Sequence, residues 1–336
     1  MPETQKQRRT QLAGTACLFL TALIWGFAFV AQRAGTSTMG AFTFNGVRFV
    51  VGAIALMPVA LLFEKGKSGK AERRRTITAG LIAGTVLCFA ANLQQLGIDW
   101  TQSAARSGFI TGLYMIFVPL AGIFLKRKTT KFTWVGALFA LGGLYVLSVS
   151  KGGGADSNEI IIGKMAINGM LIGSIALIIG AVFWAAHILV VDTFAPRIRP
   201  LRFSMAQFWV CAAESLIIAA FTEKITPSGI LGGTMPILYT GLLSVGIAYT
   251  LQIVGQRHVE PSRASVIFSM ESLFSALGEA IILREFLTPM GYLGCGLILA
   301  GILLAQIRPK SGVKKAARRV KMSQSAKISK NPRSGT

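Results

Sequence analysis

Five ionisable side chains stand inside long apolar stretches of this sequence, where a charge is costly. They are Arg48, His187, Glu214, Glu271 and Glu279. If these stretches cross a membrane, a charge at that depth costs about 2.5 to 3.5 kcal/mol on insertion scales, so each one needs a partner or a function. Arginine, histidine and glutamate in such places favour binding of a charged ligand or movement of a proton.

Arg48 is the first candidate for ligand contact. It shares a helical stripe with Asn45 and Gly52, which predicts that it faces protein or water and not lipid. A planar guanidinium can hold a carboxylate through two hydrogen bonds, which suits an amino acid or an organic acid. The alternative is a structural ion pair with Glu271 or Glu214.

Glu271 stands near the middle of its apolar stretch, and Ser275, Gly278 and Glu279 follow on much the same side. A carboxyl group in an apolar cavity could carry a proton during ligand exchange. The alternative is a permanent salt bridge or a hydrogen-bonded anchor. Glu279 lies nearer the end of the stretch and is expected to be structural.

The remaining candidates could line the same cavity. Glu214 continues a stripe through Gln207 and Cys211, and His187 is either a packing histidine or a proton relay. Neutral polar side chains could bind a zwitterion, and two tryptophans could be either cavity walls or packing residues. These additional candidates are Asn92, Gln95, Tyr249, Gln252, Trp25 and Trp184.

Several kinds of chemistry lack their residues. The chain has two histidines, His187 and His258, and shows no His-Glu-x2-His motif and no aspartate inside an apolar stretch, which argues against an intramembrane enzyme. A Walker A pattern is absent as well. The four cysteines are scattered singly and are interpreted as small packing residues. No catalytic residue, metal site or cofactor is predicted.

The elements that position these residues are predicted to be transmembrane helices. Of the 336 residues, 52% are hydrophobic and 14% charged, and the mean hydropathy is +0.58. Apolar stretches of about 18 to 24 residues, each long enough to cross a bilayer as a helix, recur along the chain. The fold class is therefore predicted to be an all-α integral membrane protein with ten transmembrane helices. The predicted spans are Leu12 to Gln32, Ala41 to Phe63, Thr76 to Gly97, Ser107 to Leu125, Phe132 to Val149, Gly169 to Val191, Phe203 to Phe221, Gly229 to Gly255, Ala264 to Leu283 and Pro289 to Ile307.

The positive charge is placed asymmetrically between these spans. The net charge is +22, yet the lysines and arginines concentrate in alternate connections, which argues for membrane topology and against nucleic-acid binding. The positive-inside bias predicts that residues 1–11 and the basic tail 309–336 are both cytoplasmic. The tail is expected to be disordered and to lie against anionic lipid headgroups.

An internal repeat underlies the ten spans. Gln94 matches Gln252 with an offset of 158 residues, and Trp25 matches Trp184 with an offset of 159. This register predicts two five-helix repeats, 12–149 and 169–308, joined by a periplasmic linker, 150–168. Because five is odd, the second repeat must be inserted upside down, and its connections show the opposite pattern of basic charge. Such inverted repeats typically place a binding site near the midplane and operate by alternating access.

Helices 5 and 10 carry small residues at four-residue spacing, Gly136 with Ala140 and Gly296 with Ala300. Such faces allow close helix contact. They could pack within one chain or form a dimer, so both a monomer and a homodimer remain open.

The residues also resemble a known family, the EamA-type carriers of the drug/metabolite transporter superfamily. The resemblance covers roughly residues 12–308. It is carried by Trp25-Gly26-Phe27, by Arg48-Phe49, and by the run from Ala264 to Gly301 with its mid-helix glutamate, later Leu-x-Glu and glycine-rich last helix. Two positions depart from the family pattern: Ser272 stands where a proline is common, and Arg127 occupies the place that Glu285 has in the second half.

The resemblance implies a ten-helix protein of the bacterial inner membrane. It implies a secondary carrier that moves a small polar metabolite, in the direction of efflux, with a coupling proton or other ion. The competing classes are an intramembrane enzyme and a channel or receptor. Because no connection exceeds about 20 residues, a receptor with a soluble sensing domain is not expected.

Overall fold

Helices make up nearly all of the structure, a computed structural model that describes residues 3–66, 69–124, 131–150, 159–162, 165–284, 286 and 288–305. The predicted tail, 309–336, lies outside the described residues. The helices of the first half are α1 (Glu3–Thr36), α2 (Ala41–Phe63), α3 (Lys70–Thr101), α4 (Ala104–Thr111), α5 (Tyr114–Phe124) and α6 (Lys131–Ser150).

The second half follows the same order with more interruptions. Its elements are α7 (Gly169–Phe194), a 3-10 turn (Ala195–Arg197), α8 (Pro200–Thr222), α9 (Pro227–Gly232), α10 (Thr234–Leu238), a π-helix (Tyr239–Ala248), α11 (Tyr249–Gln256), α12 (Pro261–Phe268), α13 (Met270–Gly278), a second π-helix (Glu279–Leu283) and α14 (Pro289–Ala305).

A short hairpin is the exception to the helical fold. Strands β1 (Glu159–Ile162) and β2 (Met165–Asn168) pair antiparallel, with Glu159 opposite Asn168. They fall within the predicted linker, 150–168. Three consecutive isoleucines in β1 explain the extended backbone, because β-branched side chains favour strands.

The helices are long and apolar enough to make this a multi-pass membrane protein. Within the described residues, eight helical stretches have the length and hydropathy of a membrane span, and two shorter apolar helices occur at Trp134–Gly143 and Pro289–Gly301. The prediction of a helical integral membrane protein is confirmed.

Carboxylate caps join α2 and α8 at both ends. Glu64, just after α2, accepts hydrogen bonds from the backbone N–H groups of Leu201 (2.8 Å) and Arg202 (3.1 Å) at the start of α8. Glu223, just after α8, accepts them from Phe42 (2.9 Å) and Thr43 (2.8 Å) at the start of α2. A carboxylate is favourable at a helix N-terminus because it satisfies free N–H groups and the helix dipole. We call the end with Glu64 the first face and the end with Glu223 the second face.

Matched close contacts recur in the two halves. A Cβ built on Gly97 would lie 2.4 Å from Leu177, and one built on Gly255 would lie 2.5 Å from Leu18. These approaches join α3 to α7 and α11 to α1, and only glycine permits them. Gly97 and Gly255 differ by 158 residues, whereas Leu18 and Leu177 differ by 159.

Three predicted spans are not continuous α-helices. The span 107–125 breaks between α4 and α5, and the span 264–283 breaks at Ser269, which separates α12 from α13. Contacts between the halves accompany both breaks, since the Ser272 hydroxyl donates to the carbonyl of Gly108 at 2.8 Å. The span 229–255 is interrupted at Gly233 and by the π-helix before α11.

Candidate functional site

A narrow cavity lies between the two halves, lined by six side chains from each. Its volume is about 20 Å³, which holds about one water molecule. Five of the predicted site residues line it: Trp25, Arg48, Trp184, Tyr249 and Glu271. These five residues, which lie on α1, α2, α7, α11 and α13, thus meet at one place.

Aromatic rings form one wall of the cavity. The Trp25 ring centroid lies 4.8 Å from that of Tyr249, 5.4 Å from Phe268 and 5.9 Å from Trp184. Trp184 also stacks on Tyr249, with centroids 6.0 Å apart and planes 18° from parallel. The two tryptophans at matched repeat positions therefore meet, and their rings give the cavity a rigid apolar surface.

Arg48 brings a buried positive charge to the cavity. It is 2% exposed, and its Nε donates to Asn45 Oδ1 at 2.7 Å. The guanidinium carbon lies 5.2 Å from the Phe49 ring centroid and 5.6 Å from that of Phe44, where the ring faces favour a cation. Within the described chain no carboxylate pairs with Arg48, so the alternative of an ion pair with Glu271 or Glu214 is not formed.

A chain of hydrogen bonds positions Arg48. Asn45 Nδ2 donates to Asn92 Oδ1 at 2.8 Å, and Asn92 Nδ2 donates to Ser215 Oγ at 2.8 Å. This chain runs from α2 through α3 to α8. Asn92, predicted to line the cavity, instead supports the residue that fixes the guanidinium.

Glu271 is the acidic group of the cavity. It is 3% exposed, and its Oε1 accepts a hydrogen bond from the Tyr114 hydroxyl at 2.8 Å. In the described structure no cation pairs with this carboxyl group. Glu271 is therefore held by one neutral donor, which leaves it able to bind a positive group or a proton.

Glu279, by contrast, is an anchor near the second face. Its carboxylate accepts from the backbone N–H groups of Ala104 (3.0 Å) and Ala105 (3.2 Å) at the start of α4. It also pairs with Arg33, at 3.2 Å. These contacts tie the end of α13 to α1 and α4, a structural role.

Glu214 lies away from the cavity. With Asn92 it lines a separate groove of about 500 Å³ between α3 and α8, and its Oε1 accepts from the Thr85 hydroxyl at 2.6 Å. Its side chain therefore faces α3 and not the cavity. The expectation that Glu214 lines the cavity therefore does not match the structure.

Three further predicted residues are buried outside the cavity lining. Gln95 Nε2 donates to the carbonyl of Gln32 at 3.1 Å, and His187 Nε2 lies 3.0 Å from Gln207 Oε1. Gln252 is fully buried, and neither its Oε1 nor its Nε2 has a partner in the described structure. His187 lies behind Tyr249, with ring centroids 6.3 Å apart, so it supports the aromatic wall.

Sequence reasoning missed the other lining residues. Gln94, the neighbour of the predicted Gln95, accepts from Trp184 Nε1 at 2.7 Å and donates to Gln32 Oε1 at 3.3 Å. Its exact match to Gln252 was the signal that pointed to it. Tyr114 could have been found as the one tyrosine of the apolar span 107–125. The lining residues that were not predicted are Phe29, Gln32, Gln94, Tyr114, Ile188, Ser244 and Phe268.

No group of three His, Cys, Asp or Glu side chains that could hold a metal ion occurs among the described residues. The chemistry of the cavity is thus that of one guanidinium, one carboxyl group, two amides and several aromatic rings. It suits reversible binding of a small polar molecule.

Known proteins are similar to this chain in sequence or in fold. An uncharacterized transporter of Archaeoglobus fulgidus is 28% identical over 87% of this chain and 85% of its own length. The uncharacterized inner membrane transporter YedA of Escherichia coli K12 is 26% identical over 86% of this chain and 89% of its own length. One solved crystal structure superposes with a TM-score of 0.67 at 17% identity, covering 87% of this chain and 96% of the other, which shows a shared fold.

The EamA-like transporter family matches the chain twice, at residues 12–149 and 171–306. The two matches together cover most of the chain and contain every residue that lines the cavity. A family of transporters, not of enzymes, accounts for a multi-pass membrane protein with a polar cavity between its halves. The chain belongs to the EamA-like transporter family.

Proposed function

We propose that this transporter is a secondary-active carrier for a small polar metabolite with a carboxylate group, such as an amino acid or an organic acid. The observation that carries the proposal is the buried Arg48 guanidinium, which lines the cavity without a carboxylate partner in the described chain. A bidentate pair with the carboxylate of a substrate would stabilise both charges. Glu271 would receive an ammonium group of the substrate or a coupling proton.

The carrier would work by alternating access between two inverted five-helix repeats. Two matches to one family support the duplication. The reciprocal caps support the inversion. Glu64 caps the start of α8 at the first face, whereas Glu223 caps the start of α2 at the second face, so these matched helices run in opposite directions. A ten-helix arrangement would include the shorter apolar helices within α6 and α14. The cavity then lies at the seam of the repeats, the usual position of a substrate site in such carriers.

We place the protein in the bacterial inner membrane, with both termini in the cytoplasm and with transport in the direction of efflux. The basic residues Arg73, Arg74 and Arg75 lie at the first face, as do Arg197 and Arg199. Such clusters favour the cytoplasmic side. A proton or another ion gradient would supply the energy.

The α6 and α14 glycines favour a monomer. A Cβ on Gly143 would lie 2.5 Å from the Gly294 carbonyl, and one on Gly301 would lie 2.4 Å from the Gly136 carbonyl. The Gly136 face of α6 therefore packs against α14 within one chain. The predicted Gly296 face of α14 does not take part in this contact, since no atom of another element in the described structure lies within 4 Å of a Cβ built on Gly296.

Counterflow in proteoliposomes tests the proposal. The purified protein would be reconstituted and given a panel of radiolabelled amino acids and organic acids, with and without a pH gradient. We expect exchange of at least one carboxylate-bearing compound, a loss of at least tenfold for Arg48→Ala, and loss of the response to pH for Glu271→Gln.

Glu214→Gln is the matched control, since it neutralises a membrane-embedded glutamate that lies outside the cavity. It should exchange substrate at the rate of the unmodified protein. Normal exchange by Arg48→Ala, or equal losses in all three variants, would overturn the assignment of the site.

A further inference from the structure

Gln252 carries an unexplained amide in the protein interior. It is fully buried on α11, and both of its amide atoms lack a hydrogen-bond partner in the described structure. A buried unpaired polar group is destabilising, and native proteins contain few of them. In the described structure the Gln252 amide therefore has a donor and an acceptor that are not used.

Gln94, the residue that matches Gln252 in the first repeat, indicates a partner for the Gln252 amide. Gln94 Oε1 accepts a hydrogen bond from Trp184 Nε1 at 2.7 Å. Repeat symmetry replaces Gln94 by Gln252 and Trp184 by Trp25, so it would direct Trp25 Nε1 to Gln252 Oε1. Trp25 instead donates to the Ser244 carbonyl at 3.4 Å, a long and weak bond.

The helices that carry the two glutamines differ in the same region. Helix α3 is α-helical from Lys70 to Thr101, whereas a π-helix, Tyr239–Ala248, precedes Gln252 in the matching segment. A π-helix turns less per residue than an α-helix, so it changes the direction of every side chain that follows. Such segments are rare and are frequent at functional sites.

We infer that the Trp184–Gln94 and Trp25–Gln252 hydrogen bonds close opposite sides of the cavity, and we call them the two closures. Each access state of the carrier would form one of the two. This inference rests on the proposed alternating access. Gln94 also donates to Gln32, toward the second face, so the bond made in this structure closes the cavity on that side. Gln252 lies one turn from the end of α11 at the first face, so the Trp25–Gln252 bond would close that side.

Two matched reporters can test the exchange. Phe29 and Ile188, 159 residues apart, both line the cavity and are buried. Phe29 lies one turn beyond Trp25 toward the second face, and Ile188 lies one turn beyond Trp184 toward the first. In a background without the four native cysteines, Phe29→Cys and Ile188→Cys would be alkylated by a water-soluble maleimide in detergent.

Gln94→Leu removes the bond made in this structure while keeping the side-chain size. It should raise the alkylation rate of Phe29→Cys and lower that of Ile188→Cys, so that the ratio of the two rates changes by about fivefold, the effect of one ordinary hydrogen bond on the equilibrium between the two states. Gln252→Leu removes the alternative bond and should shift both rates in the opposite directions. The double variant should return the ratio of the rates toward that of the unmodified background.

Shifts of both variants in the same direction, or no shift in either, would overturn the inference. Gel filtration checks folding, and Gln94→Asn with Gln252→Asn replaces the leucine pair if either leucine variant is not monodisperse. The alkylation needs no substrate. If the protein exchanges substrate but both variants shift the alkylation rates in the same direction, only the two closures are refuted. If the variants shift the rates in opposite directions but no exchange is measurable, only the proposed substrate class is refuted.

Discussion

Asn45 sets the chemistry of Arg48 at the scale of single residues. In the described chain it supplies the acceptor for the guanidinium Nε, at 2.7 Å. Asn45→Asp keeps the shape of the side chain and adds a carboxylate, which would neutralise Arg48 internally. We expect at least tenfold weaker exchange of a carboxylate substrate, because the buried pair then competes with it.

Counterflow in proteoliposomes measures this loss. Asn45→Ala is the matched comparison: it removes the acceptor and leaves the charge of Arg48 available, so its loss should be smaller, about fivefold. A thermal midpoint of Asn45→Asp no lower than that of Asn45→Ala would show that the larger loss does not come from unfolding. Undiminished exchange by Asn45→Asp would contradict the role given to Arg48.

Residue type alone pointed to part of the lining of the candidate cavity. Arg48 and Glu271 stood out because a charge in an apolar stretch needs a reason. The choice between Gln94 and Gln95 was not decidable in the same way, because neighbouring residues point about 100° apart around a helix. Glu214 lies on the predicted stripe, yet its own side chain faces a groove between α3 and α8.

At the scale of helices, the carboxylate caps of α2 and α8 are expected to contribute to the stability of the fold. Glu64→Gln and Glu223→Gln each remove the charge that faces two helix N–H groups. Each should lower the stability by about 0.5–2 kcal/mol. The two losses should be similar, because the caps are matched.

Thermal unfolding in detergent, followed with a thiol-reactive dye on the buried Cys88 and Cys211, measures both losses. Glu260→Gln is the control, since Glu260 occupies the N-cap position of α12 but makes no capping bond with its side chain. An effect of Glu260→Gln equal to that of the other two would show that a change of charge, and not capping, determines the result.

The helices themselves were largely predictable because apolar length is a local property. The break at Ser269 and the π-helix before α11 were not, since they depend on contacts with the other half. Ser272, for example, donates to the Gly108 carbonyl across the seam. The reciprocal caps also escaped prediction, because they join residues more than 130 positions apart.

At the scale of the whole molecule, the basic residues favour one orientation of the protein in the membrane. Exposed arginines at the first face, including Arg74 and Arg197, would have to cross the membrane if that face were outside. Translocating them is unfavourable. In a cysteine-free background, an impermeant maleimide should therefore label Ser37→Cys and Lys224→Cys in intact cells, because both positions are exposed at the second face.

Arg74→Cys and Arg197→Cys should react only after the cells are permeabilised. If Ser37→Cys and Arg74→Cys were instead labelled equally in intact cells, the chain would have no single orientation.

A fixed orientation matters for the transport cycle because the two repeats are not identical. Gln32 bonds to Gln94 near the second face, whereas Val191 stands at the matching position near the first. The two closures would therefore differ in strength, and only a fixed orientation assigns the stronger one to the same side of the membrane in every molecule.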